Sequence, residues 1–184
     1  MAESWDELEN KYNQFKDWAP DGDFKVKVDK VEVRESSTGT KWMDIFLLQD
    51  EQYSYPRFSH PISSKNAGWR KWHFHLIFMQ LGASKEDARK AADTCEAKGD
   101  FEKIAAAYVQ AASRLAAKHP EIEIKVWTEP GSNGNNYARA DFKDSKVSMG
   151  SGNNNSTATP APKPSDNPLE GAEEITVAEE DFPF

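Results

Sequence analysis

Only one cysteine, Cys95, occurs among the 184 residues. No disulfide can form within the chain, and a reducing cytosol is the expected setting. Long apolar runs are missing too. Stretches of strongly apolar side chains such as Ile45–Leu48 and Leu76–Met79 are four residues long, against roughly 20 needed to span a bilayer. No membrane association is expected. The chain opens on acids (Glu3, Asp6, Glu7, Glu9) rather than on a basic, apolar leader, so no secretory signal is expected. Neither G-x-x-x-x-G-K-[ST] nor G-x-G-x-x-G occurs, which removes the common phosphate-cradling loops. Hydrophobic residues make up 38% of the chain, low enough that part of it is expected to stay outside any core.

Catalytic and metal-binding patterns are equally scarce. His73 and His75 stand two apart in a segment with helical spacing, so they point to different faces, and His60 and His119 lie elsewhere. The carboxylates form no recognisable catalytic pair, and Cys95 sits on an alanine-rich helix face that reads as packing. The expectation is a protein with no catalytic residues, no metal site and no cofactor, and so not an enzyme.

Charge is unevenly spread. The net value is −8. Residues Ser151–Phe184 carry seven acids and one lysine, a net of −6, and Met1–Gly22 carry six acids and two lysines, a net of −4. The remainder is left with +2. A mildly basic body flanked by acidic ends does not exclude a polyanionic ligand, because a binding surface responds to local charge.

Periodicity then divides the chain. Over 1–22 the spacing predicts an N-terminal helical arm, with Trp5, Leu8, Tyr12, Phe15 and Trp18 at helical positions within 3–18. A first strand alternates Phe24, Val26 and Val28 against Lys25, Lys27 and Asp29, and its phase then moves to Val31 and Val33. One extra residue of this kind predicts a β-bulge. A second strand, Lys41–Leu48, faces Met43, Ile45 and Leu47 inward and Trp42, Asp44 and Phe46 outward. A third is predicted over Gln52–Ser59, with Pro56 marking an edge or a break. A helical insertion at about 64–119 follows. Its first helix, Trp69–Leu81, is apolar on two sides: Trp69/Trp72/Leu76/Met79 and Phe74/Ile77/Phe78/Leu81. Ser84 and Asp100 are placed to cap two more helices, the first lined by Ala88, Ala91, Ala92 and Cys95. The next strand alternates Ile122, Ile124 and Val126, and the last, Tyr137–Phe142, turns Ala138, Ala140 and Phe142 inward. Residues 149–169 read as a flexible Gly/Asn/Ser/Pro linker and 170–184 as an acidic tip.

This order predicts a mainly β fold: a five-stranded OB-like barrel over 23–148, with three helices between strands three and four, and a disordered acidic C-terminal tail. An α+β sandwich with segregated helices would give a similar string.

Aromatics and cations interleave on the outward strand positions. The rings are Trp42, Phe46, Tyr53, Tyr55, Phe58, Trp127 and Tyr137. The cations are Lys25, Lys27, Lys41, Arg57, Lys125 and Arg139. Flat rings that stack bases, beside cations that track phosphates, are what a single-stranded nucleic acid requires. A second mixture, Ser64–Trp72, puts Lys65, Arg70 and Lys71 with two tryptophans at a helix start.

The chain ends Glu179-Glu180-Asp181-Phe182-Pro183-Phe184. Two phenylalanines behind acids, with a free carboxylate, suit a small basic-rimmed pocket on a partner. This tip resembles the C-terminus of bacterial single-stranded DNA-binding proteins, in which it binds replication, recombination and repair proteins. The body is more similar to phage-encoded single-stranded DNA-binding proteins, through Pro20-Asp21-Gly22-Asp23-Phe24-Lys25-Val26 and Ser37-Thr38-Gly39-Thr40-Lys41-Trp42. The resemblance implies sequence-independent binding and protection of single-stranded DNA in replication or recombination. The tip residues Glu179, Glu180, Asp181, Phe182, Pro183 and Phe184 would recruit partner proteins. It also implies a cytoplasmic setting, that of the bacterial host for a phage-encoded chain. Self-association is left open. Two other readings compete: an assembly or adaptor protein using the apolar helix 69–81, and a strand-annealing recombination protein.

Overall fold

The computed structural model describes residues 17–143. Most of the expected N-terminal helix, the linker and the acidic tip lie outside them. Five strands and three helices follow in order: β1 (Gly22–Glu35), β2 (Lys41–Leu47), β3 (Phe58–Ile62), α1 (Ala67–Gln80), α2 (Lys85–Glu96), α3 (Phe101–Lys118), β4 (Glu121–Pro130) and β5 (Asn136–Phe142). The strands make one antiparallel sheet in the order β3-β2-β1-β4-β5. Among the described residues no helix is long and apolar enough to cross a membrane.

β1 serves two partners. Gly22–Lys27 pairs with β4, and Val28 onward pairs with β2. Val28 stands opposite Leu47 and Lys30 opposite Phe46, so Asp29 is the extra residue of a bulge. The shift in apolar phase along the sequence has this bulge as its cause. Val26, Val28 and Val31 are buried, whereas Val33, near the strand end, is 42% exposed.

The third strand lies later than the sequence predicts. It covers Phe58–Ile62 rather than 52–59. Pro56 precedes it, and the segment before it is a loop tied by Asp50. The Asp50 carboxylate accepts from the backbone N–H of Gln52 and Tyr53 and from the Tyr55 hydroxyl. Pro61 is tolerated inside β3 because β3 is the last strand in the sheet order.

Helix starts follow from side-chain caps. Ser84 accepts from the Asp87 N–H and Asp100 from those of Glu102 and Lys103, as the sequence predicts, and Asn66 accepts from Trp69. Gly82, at φ +99°, ends the turn after α1 and lies so close to the His119 ring that a Cβ there would sit 2.8 Å from it. The inner stripe of α1, Phe74, Ile77, Phe78 and Leu81, is wholly buried, and Phe74 and Phe78 meet Tyr108 of α3. The outer stripe is not: Trp69 and Leu76 are half-buried, and Trp72 is 59% exposed. Ala88, Ala91, Ala92 and Cys95 let α2 approach closely. A polar knot joins all three helices. The buried Arg70 guanidinium is bonded by Glu96 at 2.7 and 2.5 Å and donates to the Ser63 carbonyl, and Tyr108 donates to Glu96 at 2.7 Å.

A second seam joins α1 to the two end strands. Trp69 stacks on His73 at 4.5 Å, His73 meets His60 at 5.2 Å, and His60 stacks on Phe142 at 5.7 Å. Phe58 meets Phe142 at 5.0 Å. Burial holds His60 down to about 3 and His73 to about 4, while it raises Asp141, 3.5 Å from His60 Nε2, to about 6. Both histidines fold neutral, so the unfolded chain binds more protons below about pH 6.5 and their stabilisation fades as pH falls towards 4. Asp141 works the other way, since its folded form keeps a proton that the unfolded chain has lost. For these three groups the difference at pH 5 is about one proton in favour of unfolding, and His75, which burial also lowers, acts in the same direction. Stability measured by denaturant titration should therefore decline from pH 6.5 to 4. In His73→Asn the decline should lose about one proton of slope; an unchanged slope would show that His73 is charged in the fold.

Candidate nucleic-acid interface

The sheet has one face towards the core and one outward. Because the bulge resets the alternation, Lys30, Glu32 and Arg34 face outward beside Phe46, Asp44 and Trp42 of β2, register partner by register partner. Ser59 and Pro61 of β3 continue the rows opposite Asp44 and Trp42. Trp42 and Phe46 are half-buried. Four residues apart on a strand, they are separated by about 13 Å. Cations lie over both rings: Lys30 at 4.7 Å and Arg57 at 5.5 Å from the Phe46 centroid, and Arg34 at 5.7 Å from that of Trp42.

Between the two rings sits Asp44, only 1% exposed although it faces away from the core. Its carboxylate accepts from Arg34 Nε at 2.7 Å and Nη2 at 3.3 Å, and from the Ser59 hydroxyl at 2.6 Å. Arg57 Nη1 lies 3.4 Å from it. The surrounding side chains cover the acid, and it gathers them.

The remaining predicted residues divide in two. Trp127, Tyr137, Lys125 and Arg139 lie on the β4–β5 hairpin. Trp127 is half-buried opposite Arg139. Arg139 pairs with Glu129 at 3.1 Å and stands 5.9 Å from the Tyr137 centroid, and the Tyr137 hydroxyl accepts from Asn133. The Tyr137 ring packs so tightly on Gly131 that no Cβ could fit there. Lys25 and Lys27 project from the first half of β1, Lys25 pairing with Glu121 at 3.1 Å. Lys27 and Lys125 are exposed and make no ion pair among the described residues.

Four predicted residues point elsewhere. Phe58 is in the core against Phe142 and His60. Tyr53 and Tyr55 pack on Phe24 at 6.1 and 5.5 Å, and burial together with Asp50 pushes the Tyr55 hydroxyl up to about 12. Lys41 is 9% exposed and bridges Glu35 at 3.0 Å to Glu102 at 2.7 Å, pinning the start of α3 to the β1–β2 hairpin. It shares its side of β2 with Met43, Ile45 and Leu47, as strict alternation requires. The tip residues lie outside the described residues.

Lys30, Arg34, Asp44 and Ser59 are the members of this surface that the sequence reading passed over. Their signal was the alternation after the bulge: once Val31 points inward, Lys30 and Arg34 must point outward.

The mixed segment Ser64–Trp72 does not form a free cationic patch. Arg70 is buried in the polar knot and Lys71 pairs with Asp93. His75 is buried, its Nδ1 on the Trp72 carbonyl. Among the described residues, no group of three or more His, Cys, Asp or Glu side chains is placed to hold a metal ion. Cys95 is buried, and burial pushes its thiol up.

No protein-family model matches the chain, and no curated protein matches it in sequence.

Lys41 offers a check on this division. Lys41→Ala should lower stability by about 1–3 kcal/mol, the usual worth of charge-assisted bonds of low exposure. If this surface is a nucleic-acid interface, the folded fraction should bind single-stranded DNA with the same affinity as the unsubstituted chain. Weakened binding without loss of stability would return Lys41 to the interface.

Proposed function

We propose that this protein binds single-stranded DNA without sequence preference, on the outer face of β1, β2 and β3. The observation that carries the reading is the pair Trp42 and Phe46, half-buried on one outward strand face with Arg34, Lys30 and Arg57 over their rings. The exposed part of each ring can stack a base, and neighbouring guanidiniums can take the linking phosphates. The β4–β5 hairpin, with Trp127, Tyr137 and Arg139, would extend the track.

An OB-type barrel is the architecture we assign to this surface. Three features support it: a β1 that pairs with both β2 and β4, helices inserted between strands three and four, and the approach of β3 to β5 through Phe58 and Phe142. The acidic tip Glu179–Phe184 would recruit replication or recombination proteins, and the protein itself would have no enzymatic role. Its resemblance to single-stranded DNA-binding proteins supports that part.

A second reading has its own observation. Trp72 and Met79 are exposed on α1, which is what an adaptor that assembles through this helix would present.

Titration with oligo-dT distinguishes them. Binding should quench tryptophan fluorescence, and Trp42→Ala or Phe46→Ala should each weaken it by ~1–3 kcal/mol with little change in melting temperature. The log–log salt slope should be about 2 if the three cations that flank the rings each neutralise one phosphate at ~0.7 apiece, and steeper if Arg139 on the hairpin joins them. Full affinity in Trp42→Ala together with loss of self-association in Trp72→Ala would favour the adaptor.

The tail makes a separate prediction. Seven acids at one end of the chain would compete with DNA for these cations, and salt would screen that competition. Deleting Glu179–Phe184, which removes three of these acids, should tighten binding at low salt and leave it nearly unchanged well above ~0.1 M, where the Debye length is under about 10 Å. Equal affinities at both salts would remove the competition.

A further inference from the structure

A buried carboxylate in the middle of a surface meant for a polyanion calls for a physical reason. Asp44 repels phosphate, yet it sits between the two rings best placed to stack bases, 1% exposed. Two things are specific to its geometry. Its oxygens receive two bonds from Arg34 and one from Ser59, with Arg57 3.4 Å away. The same two arginines lie over the two rings, Arg34 over Trp42 and Arg57 over Phe46. Three strands meet in this carboxylate: Arg34 comes from β1, Asp44 from β2 and Ser59 from β3, with Arg57 just before β3.

Resting on the reading above, we infer that Asp44 is a positioning residue for DNA binding, one that holds Arg34 and Arg57 beside the stacking rings. A long arginine side chain left alone samples many rotamers, and binding must then freeze it. Here the freezing is done in advance by a shared acid. Bidentate bonding of Arg34 also fixes the plane of its guanidinium. The carboxylate itself never touches the DNA. Its cost is one unit of negative charge close to the phosphates. Retaining an acid there makes sense only where the gain in placement exceeds that repulsion.

The inference has an opposite sign to the simple electrostatic expectation. Asp44→Asn keeps the shape, removes one negative charge and weakens the hold on both arginines. If Asp44 only subtracts charge from the surface, the substitution tightens binding of oligo-dT. If it positions the arginines, binding weakens, by about tenfold for two misplaced charge-assisted contacts. Loss of fold could also weaken binding, so a second background separates the two. In Arg34→Ala/Arg57→Ala there is nothing left to position, and adding Asp44→Asn should then tighten binding, because only the repulsion remains. A general structural defect would weaken both backgrounds alike.

The outcomes divide cleanly. Weaker binding in the intact background with tighter binding in the double-alanine background supports the inference. Tightening in both, or weakening in both, overturns it. If the intact protein fails to bind oligo-dT at all, the DNA-binding reading fails first, and the wild-type titration run beside the variants shows that directly.

Discussion

Strand β1 changes partner partway along its length. Its first six residues are bonded to β4, and from Val28 onward it is bonded to β2, with Asp29 left over near the start of the second ladder, between Val28 and Lys30. A β-strand alternates strictly, so a long strand that bends without an extra residue would turn its second half inside out. Lys30, Glu32 and Arg34 would then face the core, and Val31 would face water. The bulge prevents this. It keeps Val26, Val28 and Val31 buried on one side and aligns Lys25, Lys27, Lys30 and Arg34 on the other. Helix α3 braces the bend. Ser113 bonds to the Val31 carbonyl at 3.3 Å, and the Val28 N–H donates to the Pro120 carbonyl at 2.8 Å. The candidate surface therefore exists because one residue is out of register.

Charge on that surface is already largely engaged. Lys30 meets Glu32 at 2.8 Å, Lys25 meets Glu121, Arg139 meets Glu129, and Arg34 with Arg57 share Asp44. A strongly acidic chain that is to accept DNA must keep its cations where they count, and exposed ion pairs are weakly held and can exchange partners. In the proposed reading stacking therefore supplies most of the affinity, and phosphates replace carboxylates as partners of the outer cations. In that reading the paired lysines and arginines would set the orientation of the strand.

Much of this was legible in the chain, for identifiable reasons. The alternation of Phe24, Val26 and Val28, its shift at Val31, and the inward Met43, Ile45 and Leu47 are direct consequences of a half-buried sheet. The caps Ser84 and Asp100 and the small-residue stripe of α2 are local chemistry. Other features depend on tertiary partners. Lys41 reads as one more cation, but only the fold brings Glu35 and Glu102 to it. Tyr55 and Phe58 read as surface aromatics, yet Phe24 and Phe142, distant in sequence, cover them. The displaced third strand has the same origin, since Asp50 ties the loop through backbone bonds that no periodicity reveals. Asp44 read as a plain outward acid, because nothing local marks it as the meeting point of Arg34, Ser59 and Arg57.

The central claim is about which face meets DNA, and the tryptophan indole N–H signals test it most directly. Trp42 stands on the proposed face, and Trp72 is exposed on α1. When oligo-dT is titrated into the labelled full-length protein, the account predicts that the Trp42 indole signal shifts in proportion to binding while that of Trp72 stays in place. A shift of Trp72 with Trp42 unmoved would contradict it and would put the interaction on the helices.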